Sequence, residues 1–172
     1  MTAASCNAVL DVVRQHVPTV IVDLPHTWTP WVRSVLVHAD DIVITAAPDL
    51  PNLRNAKNLV DVLRSKRSND VPPRLVLNMA KMPKRPEISV KDFVAALGIQ
   101  PSQVIEFDSE VFGLASNNGQ MVEECSPKAK ATQQFRDLAF LLSKRKENKV
   151  EATKKTSASA LAPLLEKLKI KL

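Results

Sequence analysis

Apolar positions recur along the chain with two different periods, and these periods predict its secondary structure. Leu53, Ala56, Val60 and Leu63 lie three or four residues apart, which places their side chains on one face of a helix. Similar spacing predicts helices at 3–15, 31–38, 89–97 and 127–142. Short runs rich in β-branched and aliphatic residues, at 19–24, 42–45, 74–78 and 103–107, are typical of buried strands.

The order of these elements predicts the fold class. Strands alternate with helices, and the connections are too long for hairpins, so we expect an α/β fold with a mainly parallel sheet and helices on both faces. Four strand ends would then line one edge of the sheet, where open α/β sheets bind ligands. They are Asp23, Ala46, Asn78 and Asp108.

Two of the predicted helices carry apolar stripes that we expect to face the core. In the helix at 3–15 the polar face holds Asp11, Arg14 and Gln15. The stripe in that helix comprises Ala4, Ala8, Val9, Val12 and Val13, and the stripe at 127–142 comprises Ala131, Phe135, Leu138, Ala139 and Leu142.

Asp23 follows the apolar run 19–22 and stands just before the break at Pro25. An acid at the end of a strand can hold a magnesium ion, usually through water, beside nucleotide phosphates. The alternative is that Asp23 caps the following turn, as aspartate often does. Asn78 also has a ligand-binding and a structural interpretation. Its amide can bind the edge of a purine, or it can form a turn.

Composition excludes several classes of protein. The sequence contains no apolar run long enough for a membrane span and no signal peptide, so we expect a cytoplasmic protein. Cys6 and Cys125 are the two cysteines, and their separation predicts neither a disulfide framework nor a zinc site. His16, His26 and His38 lack the spacing of metal ligands. No G-x-S-x-G motif supports a nucleophilic hydrolase.

The net charge of +6 is located in one segment. Residues 144–172 contain nine basic and three acidic residues, a net of +6, so residues 1–143 carry 15 of each sign and are neutral. We therefore predict a domain at 1–143 and a basic tail at 144–172. Because the domain is neutral, we do not expect residues 1–143 to bind nucleic acid. In the tail, a leucine stripe (Leu161, Leu165, Leu168, Leu172) could contact a membrane surface.

The chain contains three glycines, at Gly98, Gly113 and Gly119. Phosphate-binding loops need clustered glycines so that backbone N–H groups can approach the anion, and these three fit neither known glycine-rich motif. The sequence therefore provides no phosphate loop. Gly98 instead follows a predicted helix, where glycine is a common C-terminal cap.

The string Phe-Gly-Leu-Ala-Ser-Asn-Asn-Gly-Gln-Met at 112–121, together with 20–31, 39–58 and 75–92, resembles the CpaE/TadZ family of pilus assembly proteins. That family belongs to the MinD/ParA group of deviant-Walker ATPases, and the resemblance covers the C-terminal half of its ATPase domain. It implies a P-loop NTPase-like fold. It also implies a cytoplasmic protein that localises and assembles the Flp/Tad pilus machine, binds pilus assembly proteins and self-associates. The tail could add contact with the inner face of the membrane.

The resemblance also implies roles for particular residues. Asp23 corresponds to the Walker B acid, which holds magnesium through water. Asn78, Phe107 and Asp108 correspond to the adenine end of the ATP pocket. The family's glycine-rich, lysine-containing loop would lie before Met1, so the resemblance implies ATP and magnesium as cofactors but neither tight binding nor hydrolysis by this chain.

Two explanations for the missing loop remain open at this stage. The chain is either a truncated piece of a longer ATPase or a shortened protein that acts through contacts. A different class of function is a non-enzymatic scaffold that docks on pilus-machine proteins and uses its basic tail at a membrane or on nucleic acid. In either case, the loss of upstream strands would expose a sheet edge.

Overall fold

Helices and strands alternate through most of the chain that the computed structural model describes, residues 2–143. The exceptions are the start, where two helices precede the first strand, and the end, where three helices follow the last strand. In chain order the elements are α1 (Ala3–His16), α2 (Pro30–His38), β1 (Val43–Ala46), α3 (Leu50–Lys66), β2 (Arg74–Ala80), α4 (Val90–Leu97), β3 (Pro101–Glu106), α5 (Ser109–Asn118), α6 (Val122–Cys125) and α7 (Lys130–Ser143).

The strands form a parallel sheet in the order β1-β2-β3. Ile44 pairs with Leu75, and Leu77 pairs with Val104. Between Leu77 and Ala80 the register shifts, so the carboxyl end of β2 is irregular. The predicted fold class is therefore confirmed: this is a parallel α/β sheet with helices on both faces.

One face of the sheet carries the larger core. α2, α3 and α4 cover this face, and Leu75, Leu77, Val60 and Phe93 are almost fully buried in it. Removing these side chains from water supplies about 1.5–3 kcal/mol each. The opposite face has a smaller core, in which Val76 and Ile105 contact Ala131 of α7, with α5 and α6 packed at its border.

Side-chain caps determine where several helices begin. Thr29, Asp49 and Ser89 each accept a hydrogen bond from a backbone N–H in the first turn of α2, α3 and α4. Gly98 and Gly119 end α4 and α5 in the left-handed conformation, with φ of 71° and 62°. A residue with Cβ is strained there, which is why glycine suits both positions.

The predicted strand at 19–24 is wrong. This segment pairs with no strand in the part of the chain that the structure describes, and the side chain of Ile21 is 89% exposed. Only Leu24 packs against the larger core. An apolar, β-branched sequence predicts a preference for extended backbone, but a strand also needs a neighbour with which to form hydrogen bonds.

The predicted inner faces of α1 and α7 are also partly wrong. In α1, Val9 and Val12 are 60% and 59% exposed, whereas Cys6 is buried. Asn7 of α1 donates a hydrogen bond to the Ser34 hydroxyl of α2. In α7, Ala131 is buried as expected, but Phe135 is exposed. Helical periodicity identified the stripes but could not show whether a neighbour covers them.

The predicted tail at 144–172 lies outside the described residues. Within 2–143, no helix has both the length and the apolar character needed to cross a membrane.

Candidate functional site

The last two residues of β2 and the loop that follows, together called the 79–87 loop, have an unusual backbone conformation. Met79, Lys81 and Lys84 have φ of 58°, 61° and 63°. Left-handed backbone costs a residue with Cβ about 1–2 kcal/mol. Strain of this kind persists only where surrounding contacts hold it, and it is often found at functional sites.

Glu87 holds the 79–87 loop in this conformation. Its carboxylate accepts hydrogen bonds from the backbone N–H of Lys81 at 2.9 Å and of Met82 at 3.0 Å, and it pairs with Arg85 at 3.0 Å. Arg85 also donates to the Met79 carbonyl. These contacts, above all the Lys81 N–H, lower the pKa of Glu87.

Glu106, the last residue of β3, connects the same loop to α7. Its carboxylate oxygen Oε1 lies 2.8 Å from Lys81 Nζ and 2.9 Å from Lys130 Nζ. Hydrogen bonds from these two ammonium groups, that of Lys81 first, lower the pKa of Glu106 to about 2. Lysines therefore surround an ionised carboxylate at this edge of the sheet.

The three residues predicted at the adenine end lie on neighbouring segments at this edge. Asn78 is within β2, and its amide oxygen accepts a hydrogen bond from the Met79 N–H at 2.9 Å. Phe107 N–H donates to the Ala80 carbonyl at 2.7 Å, which continues the β2–β3 ladder. Asp108 caps α5 by accepting from the N–H groups of Glu110 and Val111.

The predicted adenine-binding roles of these residues stay predictions. The Asn78 amide oxygen bonds to the next backbone N–H, as in its alternative interpretation as a turn residue, and the Asp108 carboxylate caps α5, a role that the sequence did not predict. The Asn78 amide nitrogen makes no hydrogen bond to another described residue. The sequence did not predict the strained loop, although Pro83 and Pro86 within a basic stretch indicated an irregular segment.

Asp23 does not lie at the end of a paired strand. It belongs to the unpaired segment 19–24 and is itself exposed. Among residues 2–143, no group of three or more His, Cys, Asp or Glu side chains could hold a metal ion. His16 and His38 each contact the backbone carbonyl four residues earlier in their own helix, at 2.7 Å.

The described residues do not by themselves fit a nucleoside triphosphate with magnesium. Gly98 and Gly119 are helix caps and Gly113 is within α5, so none of the three glycines contributes to a phosphate-binding turn. A cavity of about 200 Å³ exists, but it is lined by Ile42, Arg67 and Pro72, at the opposite end of the sheet from the strained loop.

The fold is similar to that of known ATPases. The chain matches a ParA family ATPase from Chlorobium tepidum TLS with a TM-score of 0.69 and 20% identity, over 83% of this chain and 57% of that one. It matches the MinD cell division protein of Aquifex aeolicus with the same TM-score and identity, over 85% and 62%. No protein-family model and no curated protein matches the sequence.

Two further solved structures show what such proteins bind. One is the Aquifex aeolicus MinC:MinD complex (TM-score 0.69, 20% identity, 85% of this chain and 61% of that one). The other is MinD from Pyrococcus horikoshii OT3 with Mg-ADP (TM-score 0.69, 16% identity, 82% and 56%). The chain spans only about three fifths of these relatives, and the similarity establishes a fold of the MinD/ParA ATPase type.

Proposed function

We propose that this chain is a Flp/Tad-type pilus assembly and localisation protein of the CpaE/TadZ kind, and that residues 1–172 alone do not hydrolyse ATP. The fold supports the ATPase ancestry, and the sequence string at 112–121 supports the pilus family. Residues 1–143 form part of the ATPase domain in this proposal, and 144–172 form a basic tail.

The proposal that residues 1–172 alone do not hydrolyse ATP rests on the positions of the three glycines. Phosphoryl transfer depends mainly on backbone and cationic groups that position and neutralise phosphates. Here Gly98 and Gly119 act as helix caps, and the ammonium groups of Lys81 and Lys130 both pair with the carboxylate of Glu106. In this proposal Asn78, Phe107 and Asp108 would contact the adenine of ATP and Asp23 its magnesium, and other groups would have to hold the phosphates.

Gene deletion in the organism that encodes the chain tests the pilus role. We expect cells without the gene to lose surface pili while dividing normally, and the complete chain supplied from a plasmid to restore the pili. Normal pilus numbers in the deletion strain would refute the proposed role.

The second candidate is a non-enzymatic scaffold that contacts a membrane surface through its tail. The location of the whole net charge of +6 in 144–172 favours it, because basic residues are attracted to anionic lipid. It predicts weak, salt-sensitive binding to anionic vesicles that is lost when residues 150–172 are deleted. Binding that persists after this deletion would exclude the tail as the contact.

A further inference from the structure

A cavity of about 200 Å³ lies at the end of the sheet where the strands begin. Its lining includes Ile42, just before β1, and Pro72 and Pro73, just before β2. The 79–87 loop is at the other end of these parallel strands. The cavity is therefore separate from the site described above and has no part in the proposed function.

Most of the cavity wall is hydrocarbon. Leu63 of α3 is 3% exposed and belongs to the larger core, and Ile42 packs against that core. Val71 also lines the cavity, and its side chain is exposed. An apolar cavity of about 150 Å³ can hold a benzene ring, so this cavity has room for an aliphatic group of about five or six carbons.

The part of the wall formed by residues 70–73 is held in place. Its two consecutive prolines have a fixed φ, and the N–H of Arg74 donates to the Ile42 carbonyl at 2.8 Å. Asp70 accepts from Arg67 Nε at 2.7 Å, and its own N–H donates to the Arg67 carbonyl at 3.1 Å. Because this wall is already ordered, binding there requires little loss of conformational freedom.

Two arginines line the cavity, and they differ in their hydrogen bonds. The Arg67 side chain is buried, pairs with Asp70 and donates to the Leu36 carbonyl at 2.8 Å. Arg64 is exposed, and its guanidinium lies 3.4 Å from the Leu97 carbonyl, beyond the roughly 2.7–3.2 Å of ordinary N–H···O bonds. Among residues 2–143, no acidic side chain pairs with Arg64. Arg64 therefore retains N–H donors for an anion.

We propose that the cavity binds a small aliphatic carboxylate, with its hydrocarbon chain against Ile42 and Leu63 and its carboxylate on the Arg64 guanidinium. Arginine can bind a carboxylate through two parallel hydrogen bonds. The Ser68 hydroxyl also lines the cavity and bonds to no other residue of 2–143, so it is a further donor. An inorganic anion would leave the apolar wall without a partner, and an uncharged hydrocarbon would leave Arg64 without one.

The alternative role of Arg64 is structural. Leu97 is the last residue of α4, and a cation at the C-terminus of a helix is stabilising. The two roles are compatible, because the guanidinium has five N–H groups and a single carbonyl uses one of them. A purely structural role predicts that Arg64→Gln lowers stability without changing the binding of a carboxylate.

Titration of the complete 172-residue chain with sodium hexanoate, followed by ¹H–¹⁵N NMR, tests the proposal. Acetate, which lacks the hydrocarbon chain, and 1-hexanol, which lacks the charge, are the ligand controls. Arg64→Gln removes the charge beside the cavity. Arg54→Gln is the matched control, because Arg54 is exposed on α3 and is not among the residues that line the cavity.

Val71→Asp is an independent variant, since it places a negative charge on the exposed rim of the cavity. The side chain of Val71 is 76% exposed, so the change leaves the core intact. Circular dichroism at the same temperature checks that all three variants are folded.

We expect hexanoate to cause saturable shifts of the backbone amide signals of residues 63–71. The affinity should fall at least tenfold in Arg64→Gln and in Val71→Asp, and change less than twofold in Arg54→Gln. Acetate and 1-hexanol should bind at least tenfold more weakly than hexanoate. The proposal would be overturned by the absence of saturable shifts at 63–71, by equal affinity of Arg64→Gln and the wild type, or by equal affinity for acetate and hexanoate.

Discussion

At the scale of single residues, two glutamates organise the carboxyl edge of the sheet. Glu87 binds two backbone N–H groups of a loop that contains three strained residues, and Glu106 joins that loop to α7 through Lys81 and Lys130. Both carboxylates are held in the charged form, with pKa values below the ordinary range. The loop conformation therefore depends on ionised carboxylates rather than on a buried core.

The contribution of Glu106 to stability should depend on pH. Its pKa is about 2 in the folded chain and near 4.5 in the unfolded chain, so its stabilising effect is complete above pH 4.5 and is lost as the pH falls towards 2. We expect Glu106→Gln to lower the urea midpoint at pH 7, and the difference from the wild type to shrink between pH 5 and pH 3.

Glu110→Gln is the control for that comparison, since Glu110 is exposed and is not one of the carboxylates bonded to Lys81 or Lys130. A difference between Glu106→Gln and the wild type that stays constant from pH 7 to pH 3 would show that the two lysines do not hold the charged form.

At the scale of elements, hydrophobic periodicity predicted correctly those helices whose formation depends on local sequence. α3 formed as predicted because its apolar stripe, its Asp49 cap and its length all agree, and Gly98 ends α4 as predicted. The segment 19–24 and the outer stripe of α1 did not pack as predicted, because packing requires neighbours that periodicity cannot reveal. The strained loop could not be predicted, since its conformation depends on contacts from Glu87 and Arg85 rather than on local preference.

Two glycine substitutions separate the capping role from helix preference. Gly98→Ala should lower the free energy of unfolding by about 1 kcal/mol, because alanine is strained at φ 71°. The added Cβ would meet only the flexible end of Arg64, at 3.4 Å. Gly113 lies inside α5, and no atom is near the Cβ that alanine would add. Gly113→Ala should therefore raise the free energy of unfolding by about 0.5–1 kcal/mol. Urea denaturation of both variants measures these changes. A change of the unfolding free energy in the same direction for both variants would contradict the assigned capping role of Gly98.

At the scale of the whole molecule, coverage of the sheet is unequal. Helices cover β2 on both faces, and Gln134 of α7 bonds to the outer strand β3. Among residues 2–143, β1 pairs with β2 alone, and Val9 and Val12 of α1 are exposed. The similar ATPases are longer than this chain, which matches about three fifths of them. We interpret residues 2–143 as a fold of the MinD/ParA ATPase type in which none of the three glycines forms part of a phosphate-binding turn.

Titration calorimetry of the complete 172-residue chain with ATP and magnesium tests this interpretation most directly. MinD from Pyrococcus horikoshii OT3, whose structure contains Mg-ADP, serves as the positive control with ADP. We expect no binding heat for this chain at ATP concentrations that would saturate a micromolar site. A magnesium-dependent Kd in the micromolar range, equivalent to about −8 kcal/mol, would contradict the claim that its phosphate-holding part is missing.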